Sequence, residues 1–130
     1  MTDDEFLDAF VTCRLAGSDF DHRGHLRIAW ILLQRHDVET AVRETCDGIQ
    51  RLATHLGAPG KFHWTLTEAL VRIMAARGAA DRTRSFDAFL IANPDLMTDA
   101  RGLVLRHYSE ARLAGADAKR SFVPPDLAPL

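Results

Sequence analysis

Two histidines, His22 and His25, stand three residues apart in "FDHRGHLRIAW", and a third, His63, follows in "APGKFHWTLT". On a helix, residues at i and i+3 hold their Cβ atoms about 5–6 Å apart, close enough for two rings to share one ion. Imidazole nitrogens suit zinc, iron, copper and nickel, and they bind in the neutral form. At about 100° per residue, His22, His25, Leu26, Ala29 and Leu33 fall on one stripe, so both rings face the side that buries leucines. His63 lines up in the same way with Leu66, Thr67, Leu70 and Met74, and His107 with Ala100, Leu103 and Val104. Four of the six histidines are therefore expected to point inward. His36 lies about 21 Å beyond His22 along a helix axis, and His55 falls off the apolar stripe near a helix end. Both are read as structural.

The elements that position these rings follow from helical spacing of apolar residues, which runs through almost the whole chain; alternating strand patterns are scarce. The expected fold is all-α, a compact helical bundle of about six segments in a single domain over residues 1–130. A short helix is expected over 2–13 and a second over 21–35, with Ser18, Asp19 and Asp21 as candidate caps. The third, "DVETAVRETCDGIQRLATHLG", carries Val38, Val42, Thr45, Ile49, Leu52 and Leu56 on one stripe and stops at Gly57. "APGK" is a turn. A fourth helix is expected over 62–77, a short fifth capped by Ser85 that ends before Pro94, and a sixth over 98–108. "SEARLAG" adds one helical turn. The tail "SFVPPDLAPL" has three prolines and cannot be helical; its Phe122, Val123, Leu127 and Leu130 suggest docking along the bundle.

Short connections make successive helices antiparallel. The second and fourth helices then run the same way, with His22, His25 and His63 in their first turns. If the fifth is only a connector, the C-terminal end of the sixth brings His107 to the same end. His22, His25, His63 and His107 are thus the expected metal ligands, around a divalent iron, zinc, copper or nickel ion. His107 serves either as the fourth ligand or as a general base, and Tyr108 beside it as a second catalytic candidate. Positive helix ends disfavour imidazolium and favour an anionic substrate, to which Lys61 and Arg23 would add. Asp21 and Asp95 are candidate orienters of ligating rings. A carboxylate-bridged di-iron site is excluded because no Glu-x-x-His pair occurs, and Glu68 lies about 140° from His63. Cys13 and Cys46 fall on flanks away from the cluster, and neither a nucleophile elbow nor a glycine-rich phosphate loop is present.

Composition narrows the class. A chain of 130 residues that is 47% hydrophobic and 26% charged can bury a core without disulfides. A net charge of -2 with scattered cations argues against nucleic acid. Two cysteines without CxxC spacing suit a reducing, cytoplasmic setting. The start "MTDDEFLDAF" is acidic where a signal peptide is basic, and no apolar run approaches the ~18 residues of a membrane span.

The stretches "FDHRGHLRIAW", "APGKFHWTLT" and "RHYSEARLAGADAKRSFVPPDLAPL" together resemble a family of small bacterial helical proteins. Its pattern is an F-x-H-x-x-H-L start, a K-[FY]-H-x-T-x-T middle and a PDL-containing tail. The resemblance covers nearly the whole chain and implies no reaction, but its motif histidines coincide with His22, His25 and His63. A looser likeness runs to metal-binding four-helix bundles of the DinB type, from which no residue carries over. The expected function is a mononuclear, non-haem metal enzyme (an oxygenase, hydrolase or lyase) acting on a small molecule, with an anion favoured. The alternative is a non-catalytic binding or accessory module whose histidines line a pocket.

Overall fold

A computed structural model describes residues 1–130. It is all-α: nine helices, no strands, and one continuous core of 30 buried residues. Helix α1 (Asp3–Val11) opens on a capping box in which Thr2 and Glu5 satisfy each other's backbone N–H groups. Helix α2 (His22–Arg35) starts at Asp21, whose Oδ1 accepts the Gly24 N–H at 2.9 Å. Helix α3 (Val38–His55) follows after two residues and therefore returns antiparallel against α2. Gly48 of α3 has no side chain where the Phe10 ring sits; a Cβ there would lie 2.3 Å from that ring. Only glycine lets α1 approach so closely.

A 3₁₀ turn (Pro59–Lys61) leads to α4 (Trp64–Ala76), which runs parallel to α2. The shared direction is visible at both ends. Gln34 near the end of α2 donates to the carbonyls of Ala79 and Asp81 just beyond α4, while the first turns of both helices meet at one cavity. Arg72 joins α4 to α3 by pairing with Glu39 and with the buried Glu68, which also accepts from the Trp64 indole at 2.9 Å. Glu68 is thereby spent on the α3–α4 seam.

The second half differs from the expected threading. Beyond α5 (Phe86–Ala92), the single expected sixth helix is two: α6 (Asp95–Thr98) and α7 (Ala100–Leu105), broken at Asp99. The segment carrying α5 and α6 is a return leg and not a simple connector. Phe86 packs against Trp30 of α2 at 5.6 Å between centroids, and the Leu96 carbonyl lies 2.7 Å from the His22 ring. Helix α7 therefore starts beside the first turn of α2 and runs away from it. Two more short helices follow: α8 (Glu110–Leu113) packs on α9 (Ala116–Arg120), which packs back on α4.

The tail is docked, as expected, but chiefly by hydrogen bonds. Thr65 donates to the Ser121 carbonyl and accepts the Val123 N–H; Tyr108 donates to the Val123 carbonyl at 2.6 Å. Leu127 and Ala128 donate backbone N–H groups to the His107 carbonyl. The expected burial of Leu127 does not occur: its side chain is exposed, while Phe122, Val123 and Leu130 are half-buried. No helix is long and apolar enough to cross a membrane.

Candidate functional site

His22, His25 and His63 do come together. They line a cavity of about 360 Å³ between the first turns of α2 and α4, flanked by α3 and the start of α7. Its walls are mainly apolar, with Leu26, Ile49, Leu66, Leu70, Met74 and Val104 among them. Ala29, seven residues beyond His22, and Met74, eleven beyond His63, also line it, so the cavity reaches about 10–16 Å down the bundle axis. A second hollow of about 330 Å³ adjoins it, with His25, Ile49, Lys61 and Phe62 as the shared partition.

Each ring is held differently. His22 has Nε2 2.7 Å from the Leu96 carbonyl, so that nitrogen carries the proton and Nδ1 keeps a bare lone pair. His25 has no hydrogen-bond partner; its ring meets Phe20 edge-on at 4.3 Å between centroids. Burial, reinforced by the neighbouring His22, holds its pKa down to about 4, so the ring is neutral at physiological pH. Gly24 between them must be small, because the Asp19 carbonyl lies 2.7 Å from where its Cβ would stand. His63 is the N-cap of α4 and not a residue within it. Its Nδ1 accepts the Leu66 N–H at 3.0 Å, which leaves the proton on Nε2 to be donated to the Leu113 carbonyl at 2.8 Å. Both nitrogens of His63 are engaged.

His107 does not join the cluster. It lines a separate hollow with Ile73, Ala76 and Arg77, and its Nδ1–H points to the Ala128 carbonyl at 3.1 Å. Ile73 lies ten residues past His63, about 15 Å along α4. The cause is the return leg through α5 and α6, which reverses the direction expected of the last long segment. Tyr108 is fully buried, its hydroxyl spent on the tail; burial, with Glu68 nearby, pushes its pKa up to about 12. It holds the fold and faces no cavity. Asp21 is occupied as the α2 cap, and Asp95 pairs with Arg77, so neither orients a ring. Cys46 is buried and its thiol is pushed up by that burial, while Cys13 takes a left-handed backbone (φ 55) after α1; neither lines the cavity. His36 ends α2 with Nε2 3.9 Å from Glu44, and His55 is exposed in the last turn of α3.

The donor set limits what the cavity could hold. No group of three or more His, Cys, Asp or Glu side chains is disposed around one point. The four-histidine site does not fit: His63 has no free lone pair and His107 lies elsewhere. The bare nitrogens are those of His22 and His25. No carboxylate lines the cavity, whereas Lys61 and Arg101 do, both exposed and neither paired with an acid. Thr45 lines it too. Its Oγ1 is the one buried side-chain polar atom in the protein without a partner. Leaving a hydroxyl so costs about 1–3 kcal/mol. Thr45 reads in sequence only as a member of α3's buried stripe; a hydroxyl amid that stripe was the available signal. Arg101 carries none, since it lies within α7, whose direction local pattern does not encode.

No family model matches the chain, and neither a curated protein nor a solved structure matches it. The site has to be read from its own chemistry.

Proposed function

We propose that this chain binds a small organic molecule in the cavity lined by His22, His25 and His63. The observation that carries this reading is His25: a neutral, unpartnered imidazole lining an apolar-walled space that also contains polar groups without partners. Such a space, with few convergent polar groups, is the form ligand sites take. An engineered apolar cavity of about 150 Å³ accepts benzene, so this one has room for about fourteen non-hydrogen atoms. Fluorescence titration with 2-naphthol and 2-naphthoate tests the reading. At least one should bind the wild type and lose affinity in Ala29→Phe, whose ring fills the space; no binding of either would sink it.

A second reading is favoured by His22. Its Nε2–H donation to the Leu96 carbonyl fixes the ring with Nδ1 bare, the arrangement by which a ligating histidine is oriented. His22 and His25 would then hold a divalent transition ion as two protein ligands. Such an ion, when bound, supplies Lewis acidity or an activated water, and the chain would be a metal-dependent enzyme. Two ligands fall short of the three that catalytic zinc sites keep, so the binding reading stands first. Metal analysis of untagged protein separates the two: bound metal near one equivalent, lost in His22→Ala and His25→Ala, would put the enzyme reading first.

A further inference from the structure

The cavity's polar groups are arranged by depth, and the arrangement specifies a ligand. At the open end Lys61 and Arg101 are exposed cations with no ion pair and no hydrogen bond from either side chain. Arginines elsewhere are found both paired with carboxylates, as Arg72 and Arg77 are, and unpaired; what distinguishes Lys61 and Arg101 is that both line one cavity whose wall carries no acid. Asp21, the acid nearest the histidines in sequence, is turned to the Gly24 N–H and does not line the cavity.

At the deep end stands Thr45. It is 1% exposed, and its hydroxyl has no partner. A threonine within a helix normally satisfies its hydroxyl on the carbonyl four residues back. Thr54 and Thr67 of this protein do so, at 3.0 and 2.8 Å. Thr45 does not, and it lies ten residues before the end of α3 that meets the histidines, about 15 Å along the axis.

We propose that the ligand of this cavity is an organic carboxylate with a flat or compact apolar body, its charge held by Lys61 and Arg101 and a hydroxyl or carbonyl at its far end hydrogen-bonded to Thr45 Oγ1. This rests on the cavity being a ligand site at all. The apolar walls take the body, and the neutral His25 ring packs beside it without adding a charge. Thr45 has both a proton to donate and a lone pair to accept with, so either kind of far-end oxygen satisfies it.

The experiment compares three probes by fluorescence titration: 2-naphthamide, 2-naphthoate and 6-hydroxy-2-naphthoate. Wild type should bind the carboxylate about tenfold more tightly than the amide, as a charge-assisted contact requires. The double variant Lys61→Met, Arg101→Leu should lose that preference while still binding the amide. The added hydroxyl should bring about a further fivefold gain, absent in Thr45→Val, whose unliganded melting temperature should not fall. Equal affinity for amide and carboxylate in wild type would overturn the anion assignment and leave the cavity reading intact. A hydroxyl gain that persists in Thr45→Val would overturn the role of Thr45. Failure of all three probes to bind would overturn both the ligand assignment and the cavity reading beneath it.

Discussion

The Nε2 of His63 lies 2.8 Å from the carbonyl oxygen of Leu113, fifty residues away in the chain, while the Nδ1 of the same ring caps α4. One imidazole thus ties the start of α4 to the end of α8. Replacing it with alanine removes a helix cap and strands a carbonyl, at a cost of about 1–3 kcal/mol. His63→Asn restores the cap alone and should recover part of that loss. Urea denaturation of both variants checks this; an alanine variant as stable as wild type would contradict the bridging role.

The His25 ring gives a pH dependence with a definite sign. Unfolded, it ionises near pH 6.5; in the fold, burial and the charge of His22 lower this to about 4. Between those values the unfolded chain binds more protons, so stability is complete above about pH 6.5 and falls as pH is lowered towards 4. Up to about 3 kcal/mol is at stake. His25→Leu should flatten the stability profile through this window. Parallel profiles for the two proteins would show that the ring is not held neutral.

Tyr108 and the tail act as one stabilising unit. Tyr108→Phe loses the hydrogen bond to Val123 and leaves that carbonyl unpaired, costing about 1–2 kcal/mol, with no change in probe binding at the cavity. Removing residues 121–130 also strips the partners of Thr65 and His107 and should cost several kcal/mol. A truncated chain with an unchanged melting midpoint would mean that the tail contributes nothing.

Much of this was legible in the sequence, and the lapses have physical causes. The periodicity of α2 and α3 gave their bounds within a residue or two, and helical phase put His22, His25 and His63 towards one interior. His63 reads in sequence as a helical residue, yet it caps α4, its imidazole doing the work usually done by Ser, Thr or Asp. His107 lies away from the cluster, and local pattern carries no information on chain direction once short helices intervene. Phe86 against Trp30 and Leu96 against His22 are long-range contacts that send α7 the other way, and nothing in "ARGLVLRH" foretells them.

The metal reading has its own check. Untagged protein should retain far less than one equivalent of zinc, iron, copper or nickel after gel filtration, because two histidines fall short of the three protein ligands that catalytic zinc sites keep. Near-stoichiometric metal would reverse the order of the two functional readings.

The most direct measurement of the cavity is a methyl NMR titration with 2-naphthoate, following Met74, Leu70 and Val104 together with the His25 ring protons. These groups line the space from α4, α7 and, at the histidine end, α2. Saturable shifts at all four, abolished in Ala29→Phe, are expected if the molecule enters. Shifts confined to exposed apolar side chains such as Ile91 and Leu56, with Met74 and His25 unmoved, would contradict a ligand site there.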